Sequence, residues 1–504
     1  MTDELIARRN RGMTRRGLLG GLLATVASPV LSEAPTVSLR PHLRGVAAAR
    51  PRFAEAETLV SQARLSGAVA FAVADAKTGE VLEGQSSATA MPPASTAKAI
   101  TALYALDTLG GDFRFETRVA ATGGVEDGVV KGDLVLAGGG DPELDTNGLA
   151  ELASELKAAG VREVKGDFLV YDGALPRLTQ IDADQLEYVG YNPGISGIAL
   201  NFNRVHFEWR RAGSGYAVSM DARSNKYRPD VGVASMAVVN RSLPVYTYAD
   251  GGARDDWTVA KGQLGNGGAR WLPVKKPGLY AGDVFATLAR SHGIKLKPAQ
   301  TVDTLPGGVT LAARNSRALS EILRGMLRYS TNLTAEMVGL WATRTRVGPV
   351  PTLAASAHQM NLWSVEAMGC DGMDLKDHSG LSDQSRVHPG DMVHVLVRAH
   401  EANLLRPILK DVTMRDSQGR PVKTHPVKAA AKTGTLNFVS GLAGYVTALD
   451  GRELAFAIFT ADEDARSRIP RADQEGPPGA RPWSARSRRL QVKLVERWGT
   501  VYGS

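Results

Sequence analysis

Cysteine is almost absent from this 504-residue chain. Cys370 stands alone, so no intramolecular disulfide can form. A solitary cysteine reads as a small buried apolar side chain, with a reactive thiol as the alternative. The nine histidines show no H-E-x-x-H or related spacing, which leaves no metal site and no cofactor to expect. Gly138-Gly139-Gly140 lacks the Lys-Ser/Thr that would make it a phosphate loop. The apolar run Leu18 to Val30 is too short to cross a bilayer comfortably. Internal repeats are lacking too. Basic residues outnumber acidic ones, 60 to 52, yet they are scattered and no long basic run alternates with aromatics. The surplus therefore selects no partner among nucleic acid, anionic lipid and wall polymer.

The remaining composition, 43% hydrophobic and 22% charged, supports ordinary soluble cores, and this length predicts two or three of them. Arg8, Arg9, Arg11, Arg15 and Arg16 precede the short apolar run, and Ser32-Glu33-Ala34 supplies small residues after it. This is the layout of a secretory signal over residues 1–34. Thr14-Arg15-Arg16-Gly17-Leu18-Leu19 resembles a twin-arginine export signal. A periplasmic location with the signal cleaved is the expectation; a disordered basic tail beside a short anchor is the alternative.

Periodicity predicts a helix over residues 54–64, a strand over 68–74 and a strong helix after Met91-Pro92-Pro93 that ends at Leu109-Gly110-Gly111. Residues 113–311 change texture: short strands alternate with Gly- and Pro-rich turns, and the one clear helix covers about 281–292. Leu319, Ile322, Leu323, Met326 and Leu327 then form one apolar helix face leading to Ser330. Two strands meet at Asp450-Gly451, a hairpin signal. Residues 463–483 read as a surface loop and 484–498 as a basic helix.

Three short motifs carry chemistry. In Ser95-Thr96-Ala97-Lys98, positions i and i+3 share a helix face, so Lys98 can take the Ser95 proton if burial or a nearby cation lowers its pKa. The same spacing also describes an N-capping serine beside an exposed lysine. Ser330-Thr331-Asn332 places a hydroxyl and an amide on one side of a loop, although Ser-x-Asn also marks ordinary turns. In Lys432-Thr433-Gly434-Thr435, on an edge strand, the lysine and hydroxyls would face a cleft and suit a terminal carboxylate. Gly434 would leave room for substrate backbone, and Lys432 would help to depress the Lys98 pKa. Each motif is common by chance; the three in this order are the pattern of β-lactamases and penicillin-binding proteins, with S-T-N standing for S-D-N.

With these motifs the chain resembles the low-molecular-mass class C penicillin-binding proteins, the D-Ala-D-Ala carboxypeptidases and endopeptidases. Residues 91–98 look like the family's active-site segment, Leu136 to Pro142 like its Gly-Asp-Pro signature, and Ser196 to Asn203 and Asp377 to Ser382 like two further segments. The long gap between Ser95 and Ser330 is similar to the family's, which holds two extra domains. The resemblance implies an α/β (α+β) transpeptidase-like, β-lactamase-like domain, discontinuous over 35–112 and 312–504. A large β-rich insertion would form a second domain (113–175 and 281–311) and a nested third (176–280).

The implied function is a penicillin-sensitive serine D-alanyl-D-alanine carboxypeptidase and DD-endopeptidase. Ser95 would attack, Lys98 accept its proton, Ser330 relay a proton to the leaving amine and Asn332 position the acyl side. Lys432, Thr433, Gly434 and Thr435 would hold the terminal carboxylate, with backbone N–H groups of Ser95 and Thr435 as oxyanion hole. Asp172 would bind the free amine of a diaminopimelate side chain, or be an ordinary turn aspartate. The implied partners are peptidoglycan peptides and β-lactams, without nucleic acid, with room for a dimer and for peripheral contact with membrane or wall. His378 stands where the family has a small residue, either beside the cleft or exposed on its loop. A β-lactamase and a non-catalytic wall-binding protein of the same fold are the alternatives.

Overall fold

The strands Val439–Thr447 and Glu453–Ala461 are apolar almost throughout, as strands covered on both faces must be. In the computed structural model, which describes residues 54–416 and 419–503, they lie at the centre of a six-stranded antiparallel sheet. Its order is Lys410–Asp411, Lys428–Leu436, Val439–Thr447, Glu453–Ala461, Ala68–Asp75, Val81–Gln85. Residues 1–34, with the expected export signal, lie outside the described residues.

Strand alternation divides the core in two. Phe71 and Val73 join Leu490, Leu494 and Trp498 of the C-terminal helix Ala480–Val501 on one face, with the Phe71 and Trp498 ring centroids 5.6 Å apart. Ala70, Ala72 and Ala74 point the other way, where their small size admits the helices Ala97–Leu109 and Pro389–Glu401. The helix Leu319–Tyr329 buries the five apolar residues read from its periodicity. It ends in Ser330, whose left-handed backbone (φ 59) turns the chain into the helix Asn332–Val347.

Between Leu109 and Leu319 the chain builds separate sheets. Ala299–Val302, Phe168–Tyr171, Leu134–Gly138, Glu116–Ala121 and Val309–Asn315 form a five-stranded sheet, whose last pairing reaches Asn315 opposite Glu116. Two three-stranded sheets are built from strands lying between Arg204 and Pro273. This stretch is less purely β than its turns suggest. Besides Pro277–Ser291, it holds the helix Thr146–Ala158, capped by Asp145 accepting from the Gly148 N–H at 2.9 Å. Its buried Leu149, Leu152, Ala153 and Leu156 follow helical spacing, a signal masked by the neighbouring glycines and prolines.

Residues 463–483 are likewise not a plain loop. They include the short helix Glu463–Ser467, the turn Arg471–Asp473 and the start of the C-terminal helix at Ala480. Cys370 is buried, and burial pushes its thiol up to about 12. No helix among the described residues is long and apolar enough to cross a membrane.

Candidate active site

Ser95 lies in the tight turn Ala94–Thr96 that opens the helix Ala97–Leu109, half-buried at the floor of a cavity of about 1030 Å³. Ala94 before it has a left-handed backbone (φ 45), a conformation that persists only where packing enforces it. The packing comes from Gly380 and Gly434. A Cβ on Gly380 would overlap the Ala94 carbonyl, and one on Gly434 would sit 2.7 Å from the Pro93 oxygen and 3.1 Å from the Ser95 nitrogen. Gly434 thus makes room for the turn that carries Ser95, rather than for substrate backbone as its place in the motif suggests.

One helical turn on, Lys98 is fully buried rather than exposed. Its Nζ lies 3.0 Å from Ser95 Oγ, 2.8 Å from Asn332 Oδ1 and 2.7 Å from the Ser379 carbonyl oxygen. Two of these partners are obligate acceptors, whereas the serine hydroxyl can also donate. A neutral lysine therefore spends two N–H bonds on Asn332 and Ser379 and aims its lone pair at the Ser95 proton. Burial lowers the Lys98 pKa to about 8, against the opposing charges of Asp377 and Glu336.

Glu336 carries no motif that singles it out in the sequence, and Asp377 opens the segment Asp377 to Ser382 without a role of its own assigned there. Glu336 accepts the His378 and Ser379 N–H groups at 3.0 and 2.9 Å, and Asp377 those of Gly380 and Ser382 at 2.6 and 2.7 Å. The two carboxylates fix the turn that presents the Ser379 carbonyl to Lys98. Burial, reinforced by the Asp377 charge, raises Glu336 to about 8. One weak signal for Glu336 exists: it stands four residues after Asn332 on one helix, hence on the same face.

The strand Lys428–Leu436 is second in its sheet, but its outer neighbour covers Ala429 to Ala431 and stops short of Thr433. Thr433 and Thr435 are exposed on the cavity side. Lys432 points away from them and is fully buried, contrary to the expectation that it faces the open cleft. It reaches the site from beneath, donating to Ser330 Oγ at 2.9 Å and to the Thr433 carbonyl at 2.6 Å. Burial, then repulsion from Lys98 and Lys410, holds it well below the ordinary lysine range. Ser330 and Asn332 line the cavity, and Asn332 Nδ2 donates at 3.0 Å to the Tyr191 carbonyl, which the insertion brings over the site.

The structure thus brings together Ser95, Lys98, Ser330, Asn332, Lys432, Thr433, Gly434 and Thr435. Two other residues stand apart. Asp172 is buried, its carboxylate is taken by Arg177 (Nε to Oδ1 2.6 Å), and it does not line the cavity. Its charge is spent within the fold rather than offered to an amine. Asp184, Gln185 and Tyr191 are the insertion residues that do line the cavity. His378 is neither at the cleft nor exposed. Its Nε2 meets Ser356 Oγ at 2.7 Å, its ring lies over Gly339, and burial drives its pKa to about 3.

Known proteins share this architecture. A D-alanyl-D-alanine carboxypeptidase of Actinomadura sp. (strain R39) is 29% identical over 481 residues, covering 86% of this chain and 83% of its own. D-alanyl-D-alanine carboxypeptidase DacB of Haemophilus influenzae is 24% identical over 421 residues, covering 78% and 85%. The crystal structure of penicillin-binding protein 4 (dacB) from H. influenzae superposes with a TM-score of 0.71 at 20% identity, over 88% of this chain and 99% of that one, which shows a shared fold. Residues 54–474 match the family model described as D-Ala-D-Ala carboxypeptidase 3 (S13), and the chain belongs to that family.

Proposed function

We propose that this chain hydrolyses D-alanyl peptide bonds of peptidoglycan peptides through an acyl-enzyme on Ser95. The observation that carries the reading is the placement of Lys98 Nζ between two pure acceptors and the Ser95 hydroxyl. As Ser95 Oγ bonds to the carbonyl carbon, its proton passes to Lys98. The oxyanion is received by the Ser95 and Thr435 N–H groups. The C–N bond then breaks and Ser330, bonded to Lys432, delivers a proton to the leaving amine, its own proton being replaced by the one that Lys98 accepted. Water hydrolyses the ester and regenerates Ser95. Asn332 orients the acyl side, and Thr433 with Thr435 holds the terminal carboxylate while buried Lys432 donates to Ser330 beneath.

Carboxypeptidase and endopeptidase activity differ only in the group on the leaving side of the scissile bond. A cavity of about 1030 Å³ exceeds a terminal dipeptide and supports both. β-Lactams acylate the same serine in this motif class. Glu336 has both oxygens occupied by backbone N–H groups, which disfavours it as the water-activating base of a β-lactamase. We further propose export by the twin-arginine route to the periplasm, from the sequence of residues 1–34. The catalytic sheet would form one domain, the five-stranded sheet a second and the strands between Arg204 and Pro273 a nested third.

Intact mass during incubation with benzylpenicillin tests the reading. A persistent gain of one penicillin, mapped to Ser95 and lost in Ser95→Ala, is expected. Antibiotic consumed without an adduct would make the protein a β-lactamase. Folded protein that shows neither adduct nor consumption would overturn the catalytic reading.

A further inference from the structure

Contacts around the cavity run in a closed circuit. Asn332 Nδ2 donates at 3.0 Å to the Tyr191 carbonyl of the insertion. The insertion in turn meets the segment 468–479, through Arg270 and Glu475 at 2.8 Å and through Arg471 Nη2 and the Gln185 carbonyl at 3.5 Å. The Gln474 carbonyl of that segment accepts from Asn437 Nδ2 at 2.6 Å. Asn437 follows Thr435 just past the end of the strand Lys428–Leu436, which returns the circuit to the Ser95 turn. Asn332, Tyr191, Gln185, Glu475, Asn437 and Thr435 all line the cavity, so the circuit encloses it.

The segment that completes the circuit is lightly held. Among the described residues 463–479 only Pro477 is buried, and chain with so little apolar burial opens at low cost. Its near end is tied down by Glu463 and Arg386 at 2.8 Å, and its far end runs into the C-terminal helix at Ala480. Across the cavity it depends on the insertion. There Arg270 lies over the rings of Tyr188 and Tyr246, 5.0 and 5.1 Å from their centroids, which aims its guanidinium at Glu475.

We propose that residues 468–479 are a strap, fastened by the Arg270–Glu475 pair, that separates exopeptidase from endopeptidase action on the intact wall. The inference rests on the peptidase reading, in which the acyl arm is held by Asn332 and leaves through this circuit. A peptide with a free end threads beneath the closed strap. A cross-link carried on glycan strands at both sides has no free end to thread, so it enters only from the side, after the pair has parted. The enzyme then trims free termini with the strap closed and cuts wall cross-links in proportion to the fraction that is open.

The test offers the same D-alanyl cross-link in two forms, a glycan-free peptide dimer and intact cross-linked peptidoglycan. Arg270→Gln is expected to raise cleavage of the polymer by about two- to fivefold, the weight of one exposed ion pair, and to leave the dimer unchanged. Arg270→Lys, which keeps the charge, should retain most of the wild-type selectivity. Arg270→Cys with Glu475→Cys, joined by a short bismaleimide, should abolish cleavage of the polymer and spare the dimer; Cys370 is buried out of the reagent's reach. No rise with the glutamine variant, an equal rise on both substrates, or a joined strap that still cuts the polymer would overturn the proposal. Benzylpenicillin acylation of the wild type checks the serine reading separately, so failure of the strap is distinguishable from failure of the peptidase assignment.

Discussion

If Lys98 is the base that accepts the Ser95 proton, only its neutral form supports acylation, and its surroundings set the pH dependence of that step. Burial lowers its pKa from the ordinary 10.5 to about 8. At pH 7 a lysine at 10.5 would be neutral in roughly one molecule in 3,000, and one at 8 in about one in ten. The fold thereby raises the active fraction roughly 300-fold. The second-order rate of acylation by benzylpenicillin, followed by intact mass, should rise about tenfold per unit between pH 6 and 7 and level off near pH 8. The carboxylates of Asp377 and Glu336 oppose the depression, so Asp377→Asn should move the bend to lower pH in whatever fraction folds. A rate flat from pH 6 to 9, or one still rising tenfold per unit at pH 9.5, would refute Lys98 as the base set by burial.

Packing sets two further outcomes. Gly434→Ala forces a Cβ to 2.7 Å from the Pro93 oxygen and should cost about 1–3 kcal/mol of stability, with slower acylation because the Ser95 turn is displaced. Thermal melting and acylation rates check both parts. His378 stays neutral in the folded protein down to about pH 3, while the unfolded chain protonates it near 6.5. The unfolded state binds the extra proton between those values, so this group makes stability fall as pH drops below 6.5. His378→Phe should remove that component of the denaturation profile between pH 6.5 and 4 and leave the acylation bend where it is.

Much of the site was legible because its parts are local. Ser95 and Lys98 meet through the spacing of one helical turn, Ser330 and Asn332 flank one helix junction, and Thr433 and Thr435 share one face of a strand. Short-range geometry of this kind is written in residue spacing, and the order of the three motifs identified their chemistry. The central strands were equally plain, since burial on both faces demands continuous apolar runs. The helix Thr146–Ala158 escaped although its spacing was visible, because Gly and Pro around it set the tone of the segment.

Other features depend on residues that meet only across the fold. Lys98 and Asn332 are 234 positions apart, and Lys98 and the Ser379 carbonyl 281. Strand alternation allows Lys432 only two faces, and nothing local chooses the buried one; packing against Ser330 does. Asp172 is available in the sequence and claimed by Arg177 in the fold, and the His378 ring is buried because Gly339 makes room for it. Spacing along the chain was enough to mark Ser95 as the candidate nucleophile, to order the three motifs and to reveal the long insertion. Which charges are buried, which are already paired and which remain open at the cavity wall emerged only on folding, because desolvation and pairing depend on neighbours that chain order does not specify.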